Sequence, residues 1–302
     1  MALISRRRFI QLAAGTGLAG FMLAGDALAV EPAFMLDVTR YTIKLHGWPQ
    51  GLRLKIAAIA DIHACDPLMS EARIRTIANL ANSLSPDLIV LLGDFNAGHD
   101  YVTGAVYPEQ WGRALSVLKA PLGAWGVLGN HDWWHGPLPN MRGDGGAGVR
   151  RGMHLAGIEV MENRAVRLAH QGQPFWLLGL GDQMAHLIQR GWTKGVDDLP
   201  GTLAQVHDQA PAILLAHEPY VFRRVPRRIG LTLCGHTHGG QVNLPFLRRK
   251  WWKDGLTGYD SIYGHTEIED RHLVISGGLG ESFLPIRFLR PPEINEIWVE
   301  GA

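Results

Sequence analysis

An α/β protein is what this sequence predicts, on three observations. Short apolar runs recur along the chain, several of them end in polar residues, and stretches with helical spacing lie between the runs of the first half. Strand, polar terminus, helix, strand is the order of an α/β fold. With 46% hydrophobic and 19% charged residues among 302, the chain can bury a core and does not belong to the disordered class.

Residues 1–29 read as an address. Ser5-Arg6-Arg7-Arg8-Phe9 leads into an apolar, Gly/Ala-rich run from Leu12 to Ala24, and Ala27-Leu28-Ala29 offers small residues for a signal peptidase. Interrupting glycines and Asp26 make the run weak as a membrane span. Consecutive arginines before Phe9 resemble a twin-arginine signal, which predicts the export machinery as a partner and the periplasm or cell envelope as destination. Residues 30–302 are expected to form one domain. Removing residues 1–29 deletes three arginines and one aspartate and takes the formal charge from +1 to −1. A near-neutral chain gives no support for a nucleic-acid partner.

The elements follow in order. Met35 to Leu45 reads as extended, and Gly47, Pro49 and Gly51 mark a turn. Leu54 to Ala60 is an apolar strand ending in Asp61-Ile62-His63. Ser70 to Ser83 reads as a helix, because Ile74, Ile77, Ala78 and Ala81 share one face. Leu88 to Leu92 is a strand ending in Gly93-Asp94, Gln110 to Lys119 a second helix, and Gly123 to Leu128 a strand ending in Gly129-Asn130-His131-Asp132. The second half is richer in strands, expected at Gly157–Glu162, Pro174–Leu180, Ala212–Ala216, Leu231–Cys234, His272–Ser276 and Ile294–Val299. Short helices are expected at Val149–Ala156 and Leu203–Asp208. The Gly143–Gly148 stretch reads as a loop; it lacks the lysine and the strand-to-helix placement of a phosphate cradle.

Polar residues collect at the strand ends, where open α/β sheets place their ligands. They are Asp61 and His63, Asp94, Asn130 and His131, His217, and His236 and His238. Imidazole with carboxylate is the mixed donor set of zinc, manganese or iron. Residues two apart on an extended chain emerge on the same side, which pairs Asp61 with His63 and His236 with His238. A lone Asp-x-His or Gly-Asp has a bland explanation; five such motifs, each closing an apolar strand, do not arise from packing alone.

Asp61-x-His63, Gly93-Asp94, Gly129-Asn130-His131-Asp132, His217 and Gly235-His236-x-His238 resemble the motifs of the calcineurin-like metallophosphoesterase superfamily, from about Leu52 to the C-terminus. The stretches Gly235–Gln241, Gly278–Arg287 and Pro291–Ile294 are similar to its exported or membrane-associated bacterial phosphodiesterases. The resemblance implies a sandwich of two mixed sheets flanked by helices, and two divalent metal ions (manganese, zinc or iron). It assigns Asp61, His63 and His238 to one ion and Asn130, His217 and His236 to the other, with Asp94 bridging. His131 stands beside the substrate and protonates the leaving group, and Asp132 orients its ring. The implied reaction is hydrolysis of a phosphoester substrate, lipid-linked or from the cell envelope, by a hydroxide bridging the ions. The alternatives are a nucleotide or nucleotide-lipid pyrophosphohydrolase and, further off, a metal-stabilised binding protein without turnover.

Cys65 and Cys234 flank the motifs and are expected to be small buried residues rather than a disulfide. Arg248-Arg249-Lys250-Trp251-Trp252-Lys253 and Trp133-Trp134 raise the expectation of contact with a membrane surface. Glu281 and Arg287 either reach the site or form a structural ion pair.

Overall fold

A computed structural model describes residues 22–188, 192–244 and 262–302. The twin arginines and the basic Arg248–Lys253 stretch lie outside the described residues.

Sixteen strands are seen among the described residues: β1 (Asp37–Leu45), β2 (Leu54–Ile59), β3 (Cys65–Asp66), β4 (Leu88–Leu92), β5 (Gly104–Ala105), β6 (Ala124–Val127), β7 (Ile158–Val160), β8 (Arg164–His170), β9 (Gln173–Gly179), β10 (His186–Leu187), β11 (Thr193–Lys194), β12 (Ala212–Leu215), β13 (Leu231–Cys234), β14 (Gly264–Ile268), β15 (Arg271–Ile275) and β16 (Glu293–Gly301). Two six-stranded sheets carry the fold, in the orders β1-β16-β2-β4-β6-β7 and β14-β15-β13-β12-β9-β8. Both are mixed. β2, β4, β6 and β7 run parallel, as do β9, β12, β13 and β15, with antiparallel pairings at β2–β16, β8–β9 and β14–β15.

Strand periodicity explains how the sheets stack, since alternate side chains leave opposite faces. Ile56, Ala58, Leu88, Val90 and Leu92 point one way and meet Phe175, Leu177, Ile213, Leu215, Leu231 and Leu233 of the other sheet. Ala57, Ile59, Ile89 and Leu91 point the other way, onto the helices Glu71–Ser83, Pro108–Leu115 and Ala147–Leu155. The outer face of the second sheet packs Leu178, Leu214 and Ile275 against Val221, Phe222 and Val225 of the Pro219–Arg224 turn and the residue after it. The expected two-sheet sandwich flanked by helices is the observed architecture.

Three local expectations need correction. The helix expected at Leu203–Asp208 lies earlier, at Leu199–Leu203. Asp198 caps it by accepting the Gly201 N–H at 2.9 Å, and Pro200 fits its first turn. The Pro108–Leu115 helix starts before Gln110 and stops short of Lys119, the bounds predicted for it, because Pro108 sets the first turn and the Gln110 side chain accepts the Tyr107 N–H at 2.8 Å. Strands β8 and β14 were not anticipated. They are the two edges of the second sheet, and their half-exposed residues break the apolar run that marks a buried strand. Cys65 and Cys234 are free and buried, as expected, with no disulfide between them.

Candidate metal centre and cleft

All seven proposed ligands stand just past the C-terminal ends of parallel strands. Asp61 and His63 follow β2, Asp94 follows β4 and Asn130 follows β6; these belong to the first sheet. His217 follows β12, and His236 and His238 follow β13, in the second sheet. The chain bends sharply at these points. Asp61, His63, Asp94, His236 and His238 all have positive φ, between 46° and 72°. Left-handed backbone at non-glycine residues costs energy, and its concentration here marks a site that the surrounding fold holds in shape. Backbone bonds supply that hold: Asp61 N–H donates to Gly93 at 3.0 Å, His63 N–H to the Asp94 carbonyl at 3.0 Å, and Gly235 N–H to the His217 carbonyl at 3.0 Å. Gly93, at φ 92°, runs so close to Gly129 and His217 that a β-carbon would sit 2.6 Å from either.

The donors converge in two groups. Asp61, His63, Asp94 and His238 bring one ligand atom each within 4.8 Å of one another, all buried. His217, Glu218 and His236 form the other group. Asn130 joins the second, its Oδ1 lying 2.9 Å from His236 Nδ1 and 3.2 Å from His217 Nε2. Asp94 stands between the groups, with Oδ2 3.6 Å from His63 Nε2 and 3.2 Å from His217 Nε2.

Ring tautomers test whether cations fit. His63 Nδ1 lies 2.7 Å from the Asn96 carbonyl and His217 Nδ1 2.6 Å from that of Leu92. A carbonyl only accepts, so each neutral ring carries its proton on Nδ1 and aims a lone pair inward from Nε2. His238 follows suit, with Nδ1 3.1 Å from the Gly280 carbonyl. The Nε2 atoms of His63 and His238 then face each other at 3.1 Å, lone pair to lone pair. Asp61 Oδ2 is buried with no hydrogen-bond partner. Such an arrangement repels itself unless positive charge sits within it, and the donor chemistry fits divalent cations.

Electrostatics of the ion-free protein agree. Burial pushes Asp61 up to about 7, with Asp94 adding to the rise. Burial would raise Asp94 too, but His217 and His131 hold it well below the usual carboxylate range. Burial opposes charge on His217, yet Asp94 lifts that ring well above the ordinary imidazole value. His63 and His236 fall to about 4, both through burial.

His131 sits at the cleft floor with Nδ1 unpartnered and Nε2 3.4 Å from Ser282 Oγ. Its ring is edge-on to that of His63, centroids 5.0 Å apart. Burial pulls it down to about 3, so the ring is neutral. Asp132 corrects an expectation: its carboxylate does not orient His131. Oδ1 accepts the N–H groups of Phe95 and Asn96 at 2.8 and 3.1 Å, and Oδ2 those of Asp94 and Gly129 at 3.0 and 2.9 Å. It pins the loop that carries Asp94. Arg287 and Glu281 form a buried pair, Nε to Oε1 3.5 Å, behind His238.

Sequence reading missed Glu218, Tyr220 and Ser282. Glu218 directly follows a proposed ligand and is fully buried, so its placement at a strand end was the available signal. Tyr220 gives no such sign; its hydroxyl lies 2.8 Å from His236 Nε2, which leaves Nδ1 for the site.

A cleft of about 730 Å³ opens above the centre. Asp94, Asn130, His131, His236 and His238 form its floor, and Trp134, Met184, Val242, Phe283, Leu284 and Ile286 give it an apolar wall. Trp133 and Trp134 are half-buried, the first against Arg150 and the second donating to the Met184 carbonyl at 2.8 Å, so neither stands clear of the fold as an interfacial anchor would.

A family model described as calcineurin-like phosphoesterase matches residues 54–240. The chain is similar to an uncharacterized metallophosphoesterase of Bacillus subtilis, YkuE, with 33% identity over 98% of this chain and 97% of that one. An uncharacterized metallophosphoesterase of Aquifex aeolicus is 27% identical over 89% and 93% of the two chains. The UDP-2,3-diacylglucosamine pyrophosphatase LpxG of Chlamydia trachomatis is 27% identical over 83% of each.

Proposed function

The chain belongs to the calcineurin-like phosphoesterase family, a phosphoester hydrolase, and from that premise we propose that it cleaves a phosphodiester or pyrophosphate bearing a large apolar group, using two divalent cations. The observation that carries this is the pairing of a donor-lined floor with an apolar wall in one cleft. Asp61, His63 and His238 would hold one ion, Asn130, His217 and His236 the other, and Asp94 would bridge them. Such a pair of ions polarises phosphate oxygens and lowers the pKa of an attacking water. The chain's own residues do the rest. His131, neutral and with an uncommitted ring nitrogen, takes up a proton from solvent as the negative charge of a phosphate arrives beside it, donates to a phosphate oxygen and passes that proton to the leaving group, which returns the ring to neutral. Ser282 keeps that ring within reach. Trp134, Phe283 and Leu284 seat the apolar part and keep bulk water from the phosphorus.

A nucleotide-lipid pyrophosphate is the second reading, favoured by the similarity to the chlamydial UDP-2,3-diacylglucosamine pyrophosphatase. Twin-arginine export to the periplasm or cell envelope remains part of the proposal, resting on Arg6-Arg7-Arg8-Phe9.

The test is hydrolysis with added manganese, comparing an activated phosphodiester, lipid phosphodiesters, nucleotide-lipid pyrophosphates and free nucleotides. Chelator should abolish turnover, and substrates with acyl chains should show the higher kcat/KM. Equal rates on free nucleotides would remove the lipid reading, and no turnover by metal-loaded protein on any of them would remove the whole proposal. Sequencing the N-terminus of the protein from a cell-envelope fraction tests export.

A further inference from the structure

A row of large apolar side chains stands in solvent beside the cleft mouth, on two segments that the fold ties together. Phe283 is 80% exposed, Leu284 48% and Leu289 52%, all on the loop that supplies the apolar wall. Next to this loop lies the N-terminal segment. Ala27 accepts the Arg287 N–H at 3.0 Å, and the buried Glu31 carboxylate takes the N–H groups of Leu289 and Arg290. On the same segment Leu28 and Phe34 are exposed, Phe34 by 82%. The loop is tied on its other side to Val242 and Asn243, the latter donating to the Phe288 carbonyl at 2.8 Å. Isolated exposed apolar residues are ordinary; a contiguous set rimming a cleft marks an interaction surface.

Two observations select its occupant. The cleft's apolar wall is continuous with the patch, so a ligand with a long apolar tail can pass from one to the other without crossing water. The preceding chain also enters here. Arg6-Arg7-Arg8 and an apolar run from Phe9 lead straight to Met22 and Leu23, both more than half exposed, and then to the segment that Glu31 fastens. From these we infer that the face bearing the cleft mouth docks on a lipid bilayer through Leu28, Phe34, Phe283, Leu284 and Leu289. Aromatic and aliphatic side chains dipping into the headgroup region gain apolar burial without spanning it, and no helix among the described residues is long and apolar enough to span. Cleavage after Ala29 would remove Leu28 and leave Glu31, Phe34 and the 283–289 loop in place, so Phe34, Phe283, Leu284 and Leu289 carry the surface after processing.

The test places a polarity-sensitive fluorophore on single cysteines in the full chain. Cys65 and Cys234 are buried, so labelling goes to the introduced site. Phe34→Cys and Leu289→Cys report on the patch; neither lines the cleft. Gln173→Cys is the control, exposed at the start of β9 and therefore at the end of the second sheet away from His217. Vesicles of phosphatidylcholine with phosphatidylglycerol should shift the emission of both patch labels to the blue and shield them several-fold from aqueous iodide, while the label at 173 stays in water. Vesicle-bound protein with unshifted patch labels would overturn the inference, as would equal shifts at all three sites. A blue shift that grows with protein concentration in the absence of lipid would overturn it too, by showing that a second copy covers the face. None of these readouts needs hydrolysis, so the result stands apart from the fate of the phosphoester proposal.

Discussion

His131 and Asp132 are neighbours in the chain but serve different partners. Because His131 is clear of both ligand groups, His131→Gln should retain bound metal, measured by elemental analysis, while kcat falls by roughly 10²–10⁴, the usual worth of a positioned acid; loss of metal would refute the role. Asp132→Ala should do the reverse of sparing the site. Four backbone N–H groups lose their acceptor, which costs roughly 3 kcal/mol or more in a denaturant titration, and metal affinity falls because Asp94 is no longer held. Protonation gives a third expectation. Without ions, His217 is held protonated by Asp94, and Asp61 titrates at about 7. Cations must expel those protons, so apparent metal affinity rises with pH. Binding at pH 6 should release more protons than at pH 8, where Asp61 has already ionised; calorimetry in buffers of differing ionisation enthalpy measures the difference. The convergence of the proposed ligands was legible in the sequence because each is a polar residue closing an apolar run. Asp132 was misread for an equally physical reason: adjacency to a histidine says nothing about where a carboxylate turns in three dimensions, and loops past strand ends spend carboxylates on orphaned N–H groups.

Elements were read well where both faces are buried and poorly at the margins. The five residues of β4 are all buried, and the run Leu88-Ile89-Val90-Leu91-Leu92 announces it. Edge strand β8 buries none of Arg164-Ala165-Val166-Arg167 and has no such signature; its partner β9 supplies the register that makes it a strand. The N-terminal segment shows the same limit. Residues 26–29 read as the end of an address and 30–34 carry no predicted element, yet Glu31 is buried to 2% exposure and fastened to the 289–290 backbone. Glu31→Ala should therefore lower stability by roughly 1–3 kcal/mol, from two N–H groups left without an acceptor, and should admit protease near residues 26–34 before the body unfolds. A change indistinguishable from zero in both assays would mean that the segment does not belong to the folded domain.

The two sheets share a hydrophobic interface along their length, and at one end polar groups from both meet. Each ligand group draws on both: Asp61, His63 and Asp94 from the first sheet meet His238 from the second, and Asn130 from the first meets His217 and His236. Each cation would then be a cross-link between sheets as well as a catalyst. Ions that bind the folded chain and not the unfolded one stabilise it by about 4 kcal/mol at a thousandfold excess over Kd. For a chain of this size that corresponds to a rise in Tm of roughly 6 °C. The loss on chelation should also be local. Hydrogen exchange should accelerate in residues 93–96, 130–135 and 235–241, where like charges and facing lone pairs are left uncompensated. It should stay unchanged at the β8–β9 turn, at the far end of the second sheet. Uniform acceleration would point to general loosening, and no change in either Tm or exchange would mean that the sheets hold together at that end without the ions.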